Sequence, residues 1–193
     1  MRRAVVGALA LGVVVVVGAG AALGGVLPWW PRGGGPLSLP DPHGYALPVE
    51  VGDVVTDAFD MLVVEGPGAV VVTRITPQFS GQGVRTVGTL LSGVDREVAV
   101  EEQFYRTWPP QDAALGGVTE VSGTQVRAPD ADTLPPQVLI GMEVSTPGHH
   151  LREGIWVEYR AGMVHYREFF DAQITFCTPE VMEGDVCPFL GDG

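Results

Sequence analysis

Apolar and polar residues alternate with a period of two over most of the chain beyond position 48. Such alternation is typical of β-strands whose two faces meet different environments. Clusters of proline, glycine and aspartate separate the alternating segments, as expected for turns. The predicted strands are 49–51 with 54–56, 59–64, 69–76, 84–91, 94–105, 118–127 and 137–145, although the glutamates and the alanine of 94–104 also suit a helix. Short strands at this spacing predict an all-β sandwich or barrel.

The clearest supersecondary unit is a hairpin near the C-terminus. Segments 155–160 and 163–169 flank the dipeptide Ala161-Gly162, which suits a two-residue turn. The predicted cross-strand pairs are Tyr159 with Val164, Val157 with Tyr166, Glu158 with His165 and Trp156 with Arg167. The first two pairs build an apolar face, and the last two build a polar one. A slip of one residue would turn His165 and Arg167 into the core, which disfavours it.

The N-terminus carries a different pattern, an uncharged apolar run over residues 4–27 that follows Arg2 and Arg3. As a helix, a run of this length reaches about 36 Å, enough to cross a hydrocarbon core. The arginines predict that the N-terminus stays cytoplasmic and that everything after the run is exported. We expect residues 1–27 to be a retained signal anchor, and the alternative is a signal peptide cleaved near 19–21.

Residues 28–48 are rich in proline and glycine, with five prolines and four glycines between Pro28 and Gly44. Such a composition disfavours a helix or a central strand. It predicts a stalk that separates the membrane anchor from an extracytoplasmic domain over 49–193.

The charge balance changes the list of possible partners. The chain has 23 acidic residues against 11 basic ones, all arginine, and a formal net charge of −12. The part after residue 35 carries −15, from 23 acidic residues and 8 arginines. A nucleic-acid-binding domain needs a basic face, so we expect no nucleic-acid partner. Anionic lipid headgroups would also repel such a surface.

Two cysteines, Cys177 and Cys187, are the only ones in the chain. In an exported domain they are expected to form a structural disulfide that closes the C-terminal loop. The alternative, a redox-active pair, lacks the C-x-x-C spacing of such sites.

Familiar catalytic signatures are absent: the sequence holds no G-x-S-x-G, S-x-x-K, H-E-x-x-H, P-loop or G-x-G-x-x-G motif. We therefore expect a non-catalytic protein without a cofactor. Calcium is one alternative, through carboxylates such as Asp53, Asp57 and Asp60, but their spacing matches no EF-hand loop.

Copper binding is the more specific alternative. Met163 and His165 lie two positions apart on a predicted strand and so project from one face. Met142 and the neighbouring His149 and His150 precede them. Thioether and imidazole ligands suit copper, Cu(I) above all. In the structural interpretation the same side chains only fill gaps or form local polar pairs.

The polar face of the predicted hairpin is also a candidate contact surface, because it combines aromatic residues with arginine as protein interfaces do. Its members are Trp156, Glu158, His165, Arg167 and Phe169.

Two stretches, VEVGDVVTDAFDMLVVEGPGAVVVTRITP and PGHHLREGIWVEYRAGMVHYREFF, follow the Arg-Arg start, the apolar run and the Pro/Gly segment, and a cysteine comes soon after them. Together they resemble uncharacterised single-pass proteins of high-GC Gram-positive (actinobacterial) bacteria. The resemblance implies an outward Ig-like or Greek-key β-sandwich on one N-terminal transmembrane helix, and it implies no catalytic residues. Because an anchor, a stalk, a core and a disulfide account for the sequence and no catalytic signature remains, we expect a binding or structural role in the cell envelope, with an envelope or membrane protein as partner.

Overall fold

The computed structural model describes residues 31–38, 43–93, 104–130, 133–182, 184 and 186–191. These residues are all-β, as the alternation predicts, with short 3-10 turns at Ala113–Leu115 and Pro179–Val181. The strands are β1 Leu37–Ser38, β2 His43–Pro48, β3 Val54–Asp57, β4 Val63–Val64, β5 Ala69–Phe79, β6 Val84–Leu91, β7 Phe104–Tyr105, β8 Thr119–Glu120, β9 Thr124–Arg127, β10 Val138–Val144, β11 His149–Ala161, β12 Val164–Phe170 and β13 Ala172–Cys177.

The predicted anchor over residues 1–27 lies outside the described residues. None of the residues that the structure does describe belongs to a helix with the length and hydropathy of a membrane span.

Two sheets face each other across the main core. The five-stranded sheet has the order β7-β3-β10-β6-β8, and the six-stranded sheet has the order β2-β13-β11-β5-β9, with β12 also paired to β11. All neighbours are antiparallel except β2 and β13. Val55, Ile140 and Met142 of the first sheet pack with Val72 and Ile155 of the second in one buried cluster. The architecture is therefore sandwich-like.

The two sheets differ in what covers their outer faces. A second cluster lies on the outer side of the five-stranded sheet, where Leu139 packs with Tyr105 and Leu115. Trp108 lies so close to Gly141 that an added Cβ would come within 2.4 Å of its ring. This double burial explains why β10 is apolar almost throughout instead of alternating. In the six-stranded sheet, the outer side chains of β5, β11 and β12 lie at the surface, whereas Thr175 and Cys177 of β13 are buried under the C-terminal segment.

Several predicted strands are confirmed, and others change. β6 and β10 match their predictions closely, and β5 continues three residues beyond the predicted end at 76. Segment 118–127 divides at Gly123 into β8 and β9, which join different sheets. Residues 49–51 are not a strand, and within 59–64 only β4 is one. Residues 94–103, for which a strand and a helix were both compatible, lie outside the described part.

The described part of the predicted stalk packs on the domain. β2 forms the edge of the six-stranded sheet, in parallel register with β13 from His43 opposite Ala172 to Pro48 opposite Cys177. Further upstream, the backbone of Arg32 bridges to β12 at Tyr166. The domain thus begins before the predicted boundary at 49. Proline disfavours a central strand, but it is tolerated at the end of an edge strand such as β2.

The hairpin forms, but with a different register from the predicted one. Trp156 lies opposite Phe169, Glu158 opposite Arg167 and Arg160 opposite His165, a shift of two residues. The reason is the turn, whose two central residues are Gly162 and Met163. Gly162 has a φ of 59° at the first central position, which type II′ turns require of glycine. A shift of two preserves which face each side chain occupies, so the predicted faces remain correct.

The predicted disulfide is confirmed. Cys177, at the end of β13, is bonded to Cys187, with 5.6 Å between their Cα atoms. The segment beyond it returns to the sheet, where the backbone N–H of Leu190 donates to Thr175 Oγ1 at 2.9 Å. The bond therefore holds the C-terminal segment against β13.

A fully buried ionic cluster joins the two sheets. Arg152 of β11 contacts Asp57 Oδ2 of β3 through Nη1 at 2.5 Å and Asp60 Oδ2 through Nη2 at 3.2 Å, and all three side chains have no exposed surface. Its Nε donates to the carbonyl of Ala172 at 3.0 Å. The hydroxyl of Tyr45 donates to the other oxygen of Asp57 at 2.8 Å. Two predicted calcium candidates, Asp57 and Asp60, are thus ligands of an arginine.

Burial and charge act against each other in this cluster. Burial raises the pKa of Asp57, and the guanidinium of Arg152 opposes that rise. Burial also lowers the pKa of Arg152, but the carboxylates of Asp57 and Asp60 outweigh it and raise that pKa above its ordinary value. Arg152 therefore stays charged in the core and depends on both carboxylates for compensation.

We predict that Arg152→Met destabilises the fold by about 3–5 kcal/mol, because it leaves buried carboxylates without their cation. The matched control is Arg85→Met, which removes an exposed ion pair with Glu143 on the five-stranded sheet and is expected to cost about 0–1 kcal/mol. Urea denaturation of the full-length chain in neutral detergent, followed by circular dichroism, measures both. Equal losses for the two variants would contradict the role of the cluster.

Candidate binding face on the six-stranded sheet

The outer face of the six-stranded sheet carries all five residues of the predicted contact surface. The strand register arranges them in rows across β12, β11 and β5. We call this surface the Arg-aromatic face, and its rows are Phe169-Trp156-Thr76, Arg167-Glu158-Arg74 and His165-Arg160-Val71. β9 extends the face on the far side of β5, with Arg127 opposite Ala69.

Trp156 is held in place from three sides. The guanidinium carbon of Arg167 lies 4.4 Å from the centre of its ring, a cation–π distance. Phe169 packs at 5.1 Å between ring centres, tilted by 54°. The indole N–H donates to Gln78 Oε1 at 2.8 Å. A partly exposed aromatic side chain is therefore held in one orientation.

The charged residues of the face pair differently from the prediction. Glu158 lies 3.7 Å from Arg167 Nε and not opposite His165, because the register is shifted by two. His165 instead faces Arg160 across the hairpin. The predicted contact between Trp156 and Arg167 does occur, but along a diagonal and not within one row.

Beneath the face, an N-terminal strap of residues 32–38 is tied to the hairpin. The backbone of Arg32 donates to His165 O at 2.9 Å and accepts from Arg167 N at 2.8 Å. The N–H of Gly35 donates to Glu168 Oε1 at 2.6 Å. An added Cβ at Gly35 would lie 2.1 Å from the hydroxyl of Tyr159, so the close approach requires glycine.

Tyr159 is the centre of this attachment. Its ring stacks on Tyr166 at 5.1 Å, its hydroxyl donates to Glu168 Oε2 at 2.6 Å, and the same hydroxyl accepts from Leu37 N at 3.3 Å. Burial and the hydrogen bond to the Glu168 carboxylate raise the pKa of Tyr159 above its ordinary value of 10.0. The neutral phenol is therefore the form that the strap requires.

A shallow, largely open cavity of about 520 Å³ lies where the strap meets the Arg-aromatic face. The backbone of glycines 33–35 forms one wall, and aromatic side chains with Arg167 form the other. The lining side chains on the hairpin are Trp156, Arg167, Glu168, Phe169 and Phe170. The cavity thus combines apolar walls with the cation of Arg167 and the carboxylate of Glu168, whose oxygens already accept hydrogen bonds from Gly35 and Tyr159.

The structure does not bring the five predicted copper ligands together. Met163 lies in the hairpin turn and is 89% exposed, whereas Met142 is buried in the core of the five-stranded sheet. His149 and His150 begin β11, roughly 35 Å along that strand from the position opposite His165. His150 Nε2 lies 2.8 Å from the carbonyl of Thr146. Within the described ranges, no group of three or more His, Cys, Asp and Glu side chains is arranged to hold a metal ion.

Sequence reasoning missed Arg74 and Arg160 as members of the face. Both are exposed, and neither has an ion-pair partner among the residues described. Arg160 lies two and four positions from Glu158 and Trp156 along β11, so alternation alone could have placed it on the same face. Arg74 comes after an irregularity in the pairing of β5 with β11. Counting every second residue from the buried Val70 would therefore place Arg74 on the inner face instead of the outer one.

This chain matches no protein-family model and no curated protein sequence.

We predict that the free energy of unfolding falls above about pH 10, because burial raises the pKa of Tyr45 as well as that of Tyr159. In that range the unfolded chain loses both phenolic protons while the folded protein keeps them, so a rise in pH favours unfolding. The slope is up to about 1.4 kcal/mol per pH unit for each tyrosine.

Tyr45→Phe and Tyr159→Phe are each expected to reduce this alkaline slope by about half. Urea midpoints between about pH 9 and pH 11, with phenolate absorbance recorded in parallel, measure the effect. Curves that run parallel to the unmodified protein would show that neither phenol is coupled to folding.

Proposed function

We propose that this chain is a membrane-anchored, extracytoplasmic protein of the cell envelope that binds another envelope or membrane protein without catalysing a reaction. The observation that carries the proposal is the Arg-aromatic face on the open side of the six-stranded sheet. The face presents Trp156, Phe169 and Arg167, residue types that supply much of the binding energy in protein interfaces.

Preorganisation supports the same proposal. Trp156 is fixed by Arg167, Phe169 and Gln78, so binding would cost little additional side-chain entropy. The covered outer face of the five-stranded sheet has its aromatic residue, Trp108, packed on Gly88 and Gly141. The open sheet is therefore the side on which an aromatic anchor is available to a partner.

The proposed location is supported by the sequence and by the disulfide. The apolar run 4–27 after Arg2 and Arg3 favours a single span with a cytoplasmic N-terminus. The bond between Cys177 and Cys187 favours an oxidising compartment for the domain.

We also propose that the sandwich is of the Ig-like or Greek-key kind. β10 lies between β3 and β6, two strands that come much earlier in the chain. A long connection that returns a late strand between early ones is typical of Greek-key sandwiches.

Photocrosslinking in native membranes tests the binding role. A photoreactive phenylalanine analogue at Phe169 is expected to capture a partner, and the same analogue at Val87 is the control. Both positions are 39% exposed, but Val87 belongs to the five-stranded sheet. A second, folded chain with Trp156→Ala and Phe169→Ala should lose at least about 2 kcal/mol of binding and compete poorly for the partner. Equal capture at both positions, or full competition by the double variant, would contradict the proposal.

The anchor has its own test. We predict that the full-length chain stays in the membrane pellet after alkaline extraction and that its intact mass includes Met1. Replacing two apolar residues of the run with arginine should release it, since each costs about 2.5–3.5 kcal/mol at the centre of a span. A mature protein that begins just after position 21 would instead indicate a cleaved signal peptide.

A further inference from the structure

We infer that the Arg-aromatic face recognises an extended acidic segment of its partner that carries a bulky apolar side chain beside its carboxylates. The inference rests on the proposed function and specifies the chemistry of the ligand. It is carried by the distribution of charge over the sheet, by the spacing of the arginines and by the cavity at the edge of the face.

The charge of the face is opposite to that of the domain. Among the described residues, four arginines on this side of the sheet, Arg74, Arg127, Arg160 and Arg167, accompany the carboxylates of Glu158 and Glu153. Glu153 accepts a hydrogen bond from Gln78 beside Trp156, so the formal charge of these six residues is +2. The part of the chain after residue 35 carries −15, so its remaining residues carry −17. Half of the eight arginines in that part therefore lie on one face of one sheet.

Two of these arginines have unused binding capacity. Arg167 already contacts Glu158 and the Trp156 ring, whereas Arg74 and Arg160 have no ion pair within the described ranges. A guanidinium binds a carboxylate through two parallel N–H donors, which is the geometry that an exposed arginine offers. The face therefore favours carboxylate-bearing ligands.

The spacing of the guanidinium-bearing positions indicates an extended ligand. Arg74 lies opposite Glu158, and Arg160 is two positions beyond Glu158 on the same side of β11. Diagonal positions of this kind are about 7–8 Å apart. Alternate side chains of an extended peptide are separated by about 7 Å, so carboxylates at every second position match the two arginines.

The cavity beside the arginines accounts for the apolar part of the ligand. Its volume of about 520 Å³ and its walls of Trp156, Phe169 and Phe170 suit a large aliphatic or aromatic side chain. Arg167 lies at the rim, between the cavity and Arg74. One segment can therefore place its apolar side chain in the cavity and its carboxylates along the arginine rows.

The test uses synthetic peptides with the full-length chain in neutral detergent at low salt. The probe alternates glutamate with serine and carries one central leucine, and two matched peptides replace glutamate by glutamine or leucine by glycine. We expect the glutamine peptide to bind at least about tenfold more weakly and the glycine peptide about fivefold more weakly. Fluorescence anisotropy of a labelled peptide measures each affinity.

Two double variants distinguish binding by the Arg-aromatic face from a general effect of the positive charge on the protein. Arg74→Ser with Arg160→Ser should weaken the acidic probe at least about tenfold. Arg85→Ser with Arg106→Ser removes the same charge from elsewhere on the domain and should change the affinity by less than about twofold. Equal binding of the glutamine peptide, or equal losses in the two double variants, would overturn the inference.

Other anionic occupants give distinct results. Tighter binding of heparin or of phosphatidylglycerol vesicles with the same dependence on Arg74 and Arg160 would assign the face to a sulfate or phosphate ligand and overturn the acidic segment. Self-association in sedimentation that disappears in this double variant would assign it to a second copy, with the same consequence.

The photocrosslinked partner separates this inference from the proposed function. If the competitor with Trp156→Ala and Phe169→Ala no longer reduces capture at Phe169, whereas the competitor with Arg74→Ser and Arg160→Ser still reduces it fully, the binding role stands and the acidic ligand is wrong. If neither double variant changes competition, the proposed function itself fails. If both weaken it, both are supported.

Discussion

The charge of Arg152 in the middle of the sandwich is the constraint on which the rest of the structure depends. A guanidinium with no exposed surface needs compensation, and here Asp57 at the end of β3 and Asp60 in the segment after it provide that compensation. The two sheets cannot slide past each other without breaking these contacts. Arg152 also lies where β11 changes its neighbour from β13 to β12, and its Nε holds the carbonyl of Ala172 at that point. The cluster therefore fixes the place from which the β11–β12 hairpin extends, and with it the Arg-aromatic face.

The hairpin is then stabilised from its inner side by the strap of residues 32–38. The strap satisfies part of the hydrogen-bonding edge of β12, which would otherwise be available for pairing with another strand. Tyr159 and Glu168 secure it through hydrogen bonds to the backbone of Leu37 and Gly35. Because the edge is partly occupied, the contact surface that the hairpin offers is its outer face and the cavity beside it. The segment that reads as a flexible stalk thus shapes the candidate site.

Apolar segments between turn residues were enough to predict β6 and β10, and period-two alternation predicted the core side of the hairpin and the face that carries Trp156 and Arg167. Alternation did not predict the register of the hairpin, because a shift of two residues keeps every side chain on its face. Only the φ of Gly162 distinguishes the predicted register from the observed one. β2 was not predicted because the proline and glycine content of residues 28–48 disfavours a central strand, although it does not exclude an edge strand. The Arg152 cluster was hidden for another reason: its partners are 92 and 95 positions away, and an isolated arginine in a polar stretch resembles a surface residue.

The Arg-aromatic face is positive and the rest of the domain is negative, and this separation of charge determines which kind of partner can bind the face. At distances beyond about 8–10 Å the field of a domain with a charge of −15 is screened, and what remains of it repels another acidic surface. Attraction begins only at contact, where Arg74 and Arg160 dominate the local field. A rigid acidic surface would bring its charge against the rest of this acidic domain, whereas a narrow extended segment can contact the arginines of the face with less of that repulsion. The same segment gains apolar contact in the cavity beside Trp156, so charge selects the ligand while the aromatic wall supplies its affinity.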